Sequence, residues 1–335
     1  MARNRRNIRK YTKKNNSKLI IELITFIIIL VASLVGLIKT PSEEIPENTA
    51  HKTTTIRENQ NLFKPTSSLN NVENELDFSD GLYIYYFDVG QGDCSLIISD
   101  NKTLLIDAGN NEDGALIVKY LKDLGIKKIN TLVGTHPHED HIGGLDEIID
   151  SFEIGTIYMP KVANNTKTFE DVLDSISAKN LTITTPNIGD EFSVGQANAE
   201  ILFVDNNYTG KSFNDCSIVL NLNYDDQNFL FMGDAEKNIE EKLSPDKVSV
   251  LKVGHHGSST SSSIEFLEKI KPDVSIISCA ETNDYGHPHK ETIDSLDKVH
   301  SITYKTASKG TILIKSSGFI LDVSFLNDVI LDGNR

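Results

Sequence analysis

The chain changes its pattern of apolar and polar positions twice. Residues 19–38 (LIIELITFIIILVASLVGLI) are apolar apart from Glu22, Thr25 and Ser33. Twenty residues at about 1.5 Å rise cover about 30 Å, one bilayer core, so this run predicts a transmembrane helix. Residues 39–78 hold no sustained apolar period, and Pro41, Pro46 and Pro65 interrupt a stretch rich in Thr, Asn, Ser and Glu. That composition predicts a disordered linker, because it cannot bury enough surface to offset its ordering entropy. Over residues 79–335 short apolar runs alternate with turn residues, and this span reads as one domain.

Within it, residues 82–89 (LYIYYFDV) are rich in β-branched and aromatic side chains, as strands are. Further strands are predicted at 96–99, 103–106, 129–135, 154–159, 199–204, 217–224, 228–232, 248–253, 274–278, 302–306, 311–315 and 319–325. Apolar residues at helical spacing predict helices at 115–124, 144–150, 168–179, 236–243, 262–270 and 291–300, the first closed by Gly125. Strand runs dominate both halves and helices punctuate them. Two packed sheets covered by helices fit this order, and so does a single mixed sheet.

Charge adds a topology. The 335 residues carry a net charge of −15 on a composition that is 39% hydrophobic and 24% charged, which is globular. Residues 1–39 hold nine of the 33 basic side chains and one of the 48 acidic ones, which leaves the remainder near −23. Eight of those basic residues lie in a tail, 1–18, ahead of the apolar run. A basic flank stays cytoplasmic, so the expectation is an uncleaved single-pass anchor in the lipid bilayer with the acidic domain outside the cell. Non-specific nucleic-acid binders need a basic surface, and tight binding of that kind is not expected. Cys94, Cys216 and Cys279 are too few for a disulfide framework, and outside the cell they are expected to be buried.

The candidate chemistry begins straight after the apolar run 129–135. In Thr135-His136-Pro137-His138-Glu139-Asp140-His141-Ile142-Gly143-Gly144, three histidines and an aspartate fall within six residues. Imidazole and carboxylate bind first-row metals, and a tight loop can bring such close spacings to one point. His136 and His138 point the same way if that segment is extended, and Asp140 with His141 can serve a second ion. Other candidates follow other strands: Asp234 in FMGDA, His255 and His256 in LKVGHHGSS, and His287 in YGHPH. Ligands at the ends of neighbouring strands can form one site on the rim of a sheet.

These pieces resemble a known family. THPHEDHIGG is similar to the HxHxDH motif of the metallo-β-lactamase-fold hydrolases. FDVGQGD (87–93), LIDAG (105–109), Gly233-Asp234, LKVGHHGS (251–258) and YGHP (285–288) appear in that order. Together they resemble the C-terminal hydrolase domain of ComEC-type competence proteins, with the teichoic-acid phosphorylcholine esterase domain as a relative. The resemblance covers about residues 81–325. It implies an α/β fold, an αββα sandwich, with the site along one edge of two sheets.

The resemblance also implies roles. His136 and His138 match ligands of a first divalent ion, Asp140 and His141 ligands of a second, and Asp234 the carboxylate bridging both. One of His255 and His256 completes the second site, with His255 preferred. Asp107 matches an aspartate that orients the metal-binding loops, and Asp88 and Asp93 support the same rim. Zinc, with manganese as the alternative, is the expected metal. Two adjacent ions would activate a water for attack on a phosphodiester, with Asp140 positioning it. His256 or His287, whichever is not a ligand, would hydrogen-bond the phosphoryl oxygen or protonate the leaving group. Ser258 and Ser259, ahead of a predicted helix, would hold an anionic substrate oxygen through backbone N–H groups. The expected substrate is a nucleic-acid strand or a wall polymer. A non-catalytic binding or scaffolding module on the same fold is the other reading.

Two departures from the family pattern stand out. No histidine lies between His141 and His255, where most of the superfamily places a further ligand of the first ion. Asn214 and Ser217, in Asn-x-x-Ser, occupy that place. The chain also carries one predicted membrane helix, not the many-helix channel of ComEC-type proteins.

Overall fold

The structure, a computed structural model, describes residues 54–59, 76–210 and 212–326. Seven strands lead off in chain order: β1 (Thr55–Glu58), β2 (Leu82–Tyr86), β3 (Ser95–Ser99), β4 (Lys102–Ile106), β5 (Lys128–Val133), β6 (Glu153–Tyr158) and β7 (Ile183–Thr184). Next come β8 (Glu191–Val194), β9 (Ala197–Phe203), β10 (Val219–Tyr224), β11 (Gln227–Phe231), β12 (Val250–Lys252), β13 (Val274–Ile277) and β14 (Ile302–Lys305). The chain closes with β15 (Thr311–Ser316) and β16 (Ile320–Leu326). The first sheet runs β1-β16-β15-β2-β3-β4-β5-β6-β7, and the second runs β14-β13-β12-β11-β10-β9-β8.

Strand alternation decides between the two architectures left open by the sequence. In β2, Leu82, Ile84 and Tyr86 pack with Ile201, Leu220, Leu222, Phe229 and Val250 of the second sheet. Tyr83 and Tyr85, between them in sequence, join a separate core with Ile117, Leu121, Leu145 and Val172. Successive side chains of a strand face opposite sides, so the first sheet is covered on both faces. Leu230 and Leu251 likewise turn away from the first sheet, onto Ile239, Phe266, Leu267 and Leu296. Helices α1 (Gly114–Asp123), α2 (Glu139–Ile142), α3 (Leu145–Ser151) and α4 (Lys167–Ala178) carry residues of the first outer core. Helices α5 (Lys237–Glu240), α6 (Ile264–Ile270), α7 (Lys290–Lys298) and α8 (Thr306–Lys309) line the second. Three apolar layers between four layers of structure make the αββα sandwich.

The topology gathers loops at one rim. Strands β4 and β5 are parallel, as are β11, β12 and β13. Their carboxyl ends therefore emerge on one edge of each sheet and lead into Asp107, the histidine loop, Asp234 and His255-His256. Crevices beyond the carboxyl ends of parallel strands are where open α/β sheets place ligand sites. Glycines let these loops touch backbone to backbone. A Cβ on Gly143 would come within 2.2 Å of Asn110 C, and one on Gly92 within 2.7 Å of Asp140 O.

Some expectations change. Thr55–Glu58, inside the span read as linker, is edge strand β1, parallel to β16. Its pairing is long-range, with Tyr304 donating to Glu58 at 2.9 Å and Asn59 N–H donating to Val323 O at 2.8 Å. A four-residue strand with Ile56 as its one aliphatic side chain has too little pattern to read. Strands β7 and β8 were not expected, and the helix expected at 236–243 contracts to one turn. The predicted basic tail, the membrane helix at 19–38 and most of the linker lie outside the described residues. Among the described residues no helix is long and apolar enough to cross a membrane.

Candidate metal centre

Histidine loop 135–141 starts two residues after β5 and ends in the short helix α2. Thr135 holds its base: its N–H donates to Asp107 Oδ1 at 2.8 Å and its hydroxyl to Asp107 Oδ2 at 2.8 Å. Asp107 follows β4 with φ +60, a left-handed conformation that aspartate tolerates. Its Oδ2 also lies 2.7 Å from His141 Nδ1. One carboxylate thus fixes both the strand exit and the orientation of a histidine ring, the arrangement that orients ligating histidines in metal sites.

Three groups of donor atoms meet here, each with all its atoms within 4.8 Å of one another: His136, His138 and Asp234; Asp140, His141 and His256; Asp93, His141 and Asp234. Asp234 belongs to two of them and faces both histidine pairs. Its Oδ1 is 3.1 Å from His141 Nε2 and 3.6 Å from His256 Nε2, while Oδ2 is 3.8 Å from His136 Nε2. Asp140 Oδ2 is 3.3 Å from His256 Nε2. Asp234 is fixed by its own backbone N–H, which donates to Ser217 Oγ at 3.1 Å.

The donor set fits divalent cations. His141 Nδ1 faces a carboxylate, and His256 Nδ1 lies 3.1 Å from Ser278 O, which can only accept. Both neutral rings therefore carry their proton on Nδ1 and present a bare Nε2, and those two nitrogens stand 3.3 Å apart. Facing lone pairs call for a proton or a cation between them. His136 Nε2 lies 3.0 Å from His138 Nδ1. Asp234 Oδ1 is buried and makes no hydrogen bond. Burial works against charge on Asp234, but His141 and His256 outweigh it and hold this carboxyl well below the ordinary range. Burial likewise disfavours charge on His141, and Asp234 with Asp107 reverses that and raises it well above the usual imidazole value. The cluster is built to hold positive charge.

Of the two adjacent histidines, the structure brings His256 into the cluster and not the preferred His255. Both have left-handed backbone, with φ +48 and +52. Two successive non-glycine residues there cost conformational energy and persist only when their surroundings hold them. This turn drives His256, 1% exposed, into the cluster with Asp140 and His141. His255 is in none of the three groups. Its ring takes a hydrogen bond from Asn214 Nδ2 at 3.3 Å and meets Thr260 Oγ1 at 3.0 Å.

A cavity of about 490 Å³ opens over the cluster, lined among others by His138, Asp140, Asp234, His256 and His287. His287 is pushed down to about 4, by burial first and then by His255 and His256. Gln91 Nε2, 3.4 Å from His287 Nδ1, supports the ring from the β2–β3 loop. Asn214, at the position of the missing histidine, also lines this cavity, and Ser217 carries Asp234. Ser258 and Ser259 do not line it. Ser258 is buried, its Oγ accepting from Thr260 N–H at 3.3 Å, and the helix start beyond is taken by an internal anion. The N–H groups read as a substrate-oxygen site are engaged within the protein, Ser258 N–H donating to His255 O at 2.7 Å and Ser259 N–H to His289 Nδ1 at 2.8 Å, and further along Glu240 accepts from Ser262 N–H and Ser263 N–H. Asp88 turns to its own loop, accepting from Gly90 N–H at 3.4 Å, whereas Asp93 is in the cluster.

Sequence reasoning missed Lys252, which is 2% exposed and 2.6 Å from Asp93 Oδ2. The signal was present: in VSVLKV, Lys252 shares a strand face with Val250, which packs between the sheets. A charge aimed there needs a counter-charge. Gln91, Asn110 and Tyr285, which also line the cavity, gave no such signal, and Glu139, a carboxylate within the histidine motif, lines it too while accepting from Asn111 Nδ2 at 2.9 Å.

The chain is similar to ComE operon protein 3 of Bacillus subtilis (strain 168), 28% identical over 248 residues, 67% of this chain and 32% of that protein. It is similar to Recombination protein 2 of Haemophilus influenzae, 29% identical over 234 residues, 68% of this chain and 28% of that protein. These are ComEC-like competence proteins, and the chain spans a third or less of their length. Among solved structures, the metallo-beta-lactamase fold protein YhfI from Bacillus subtilis is 11% identical at a TM-score of 0.49, covering 71% of this chain and 100% of that one. The family model of the metallo-beta-lactamase superfamily matches residues 87–281, more than half of the chain and every residue of the three donor groups. The chain belongs to the metallo-beta-lactamase superfamily.

Proposed function

We propose that the protein is a membrane-anchored, metal-dependent phosphodiesterase whose domain faces the cell exterior. The observation that carries the reading is the pair of donor groups either side of Asp234, at the floor of an open cavity. His136, His138 and Asp234 would hold one divalent ion, zinc or manganese, and Asp140, His141 and His256 the other. Such ions lower the pKa of a water towards neutrality and polarise a phosphoryl oxygen.

The chain's own residues supply the rest. Asp140 keeps a quarter of its side chain exposed to the cavity and is held ionised: burial opposes this, but His256 and His141 outweigh it. It accepts a hydrogen from the incoming water and orients it. His287 stays neutral at physiological pH, so it acts as a hydrogen-bond donor to a phosphoryl oxygen and not as a proton source. With Gln91 donating to His287 Nδ1, the ring proton sits on Nε2. The competence and recombination names of the relatives favour nucleic-acid strands over wall polymers as substrate.

Hydrolysis of bis(p-nitrophenyl) phosphate and of single-stranded DNA tests this. The full chain is expected to turn over at least one of them with zinc or manganese, and Asp140→Ala and His138→Ala to lose turnover while still folding. Unchanged turnover in both variants would contradict the mechanism. Bound metal without turnover on any diester, a phosphorylcholine ester included, would favour the binding-module reading.

A further inference from the structure

The buried Lys252–Asp93 ion pair has no place in the mechanism above. Lys252 ends β12 in the second sheet, and Asp93 lies in the β2–β3 loop of the first, so the pair crosses the sandwich. Its Nζ–Oδ2 distance is 2.6 Å, and both side chains are more than nine-tenths buried. Taking two charges out of water is costly, and an apolar pair of similar volume is often as stable. Stability alone therefore does not account for it.

The rest of Asp93 shows what the pair holds in place. Its N–H donates to Asp140 O at 2.9 Å, and its carbonyl accepts from Gly109 N–H at 2.9 Å. Its Oδ1 makes no hydrogen bond and stands 3.5 Å from His256 Nδ1. On the same nitrogen, Ser278 O lies at 3.1 Å. A negative charge beside Nδ1 favours the ring proton there, which leaves Nε2 bare towards Asp140 and His141. Lys252 keeps the Asp93 carboxylate aimed that way: it engages Oδ2 and also donates to Val253 O at 3.1 Å, so its own position is fixed.

We propose that Lys252 is a positioning residue, which anchors Asp93 across the sandwich so that Asp93 and Ser278 fix the tautomer and rotation of His256. The inference rests on the reading of the cluster as a metal centre only for its consequence, an ordered second ion site. Interactions behind a ligating histidine are worth roughly 10–100-fold in metal affinity.

The test uses the full chain with Lys252→Met, Lys252→Arg and the double variant Lys252→Met/Asp93→Leu. The double variant leaves no unpaired buried charge, so it separates positioning from folding. Two readouts apply: imidazole nitrogen shifts of His256 by NMR in metal-free protein at alkaline pH, and zinc titration. Wild type is expected to show one tautomer with Nδ1 protonated. The double variant is expected to unfold at a temperature near wild type, yet show an averaged His256 ring and a second zinc weakened roughly 10–100-fold, with the first unchanged. Lys252→Arg, which keeps the charge, is expected to restore the single tautomer. A folded double variant with the wild-type tautomer would overturn the proposal. If wild type binds no zinc while the tautomer depends on Lys252, the positioning role stands and the metal reading fails.

Discussion

His287 illustrates how much one side chain's surroundings decide. Burial, then His255 and His256, push it from 6.5 down to about 4. Between those values an unfolded chain binds a proton at this position and the folded chain does not, so stability rises with pH across that window. The contribution is fully present above about 6.5 and is lost as pH falls through about 4. His287→Gln is therefore expected to flatten the fall of the urea midpoint between those two pH values. An identical slope in wild type and variant would show that the ring titrates normally. At this scale the sequence was legible for ligand types and not for their aim. Nothing in the string HHG tells which ring turns inwards, because that depends on two left-handed residues and the carbonyl of Ser278. Lys252 was legible only as an anomaly on an apolar strand face.

Between residues and the whole molecule stand the loops at the strand ends. Their positions were readable because each apolar run stops at a ligand-type residue or one glycine before it. How closely they pack was not. Gly143 touches the 108–111 loop so closely that a methyl group would overlap Asn110 C and Asn111 N, which are backbone and cannot rotate away. Gly143→Ala is expected to cost at least about 1–3 kcal/mol in denaturant unfolding, the range of overpacked cores, and to disorder the histidine loop. A variant with unchanged stability would show that the two loops separate freely. Strand β1 failed to show in the sequence for the opposite reason. Its pairing with β16 lies more than 260 residues away in the chain and leaves no local pattern.

For the whole molecule, the two-sheet layering was half legible. The order of strands and helices allowed one sheet or two, the resemblance in the motifs implied the sandwich, and the shared packing of Leu82, Ile84 and Tyr86 with the second sheet shows it. The anchored topology remains a proposal drawn from the basic tail and apolar run. On intact cells, added protease is expected to degrade the domain while a cytoplasmic marker survives; protection of the domain would place it inside.

A centre shared by two ions has a countable consequence, the number of ions each chain retains. The full chain, purified without chelator and dialysed against zinc, is expected to hold two ions by elemental analysis. His256→Ala is expected to lose one and His255→Ala to keep both. No bound zinc in wild type, or an ion lost from His255→Ala and retained in His256→Ala, would contradict the centre described here.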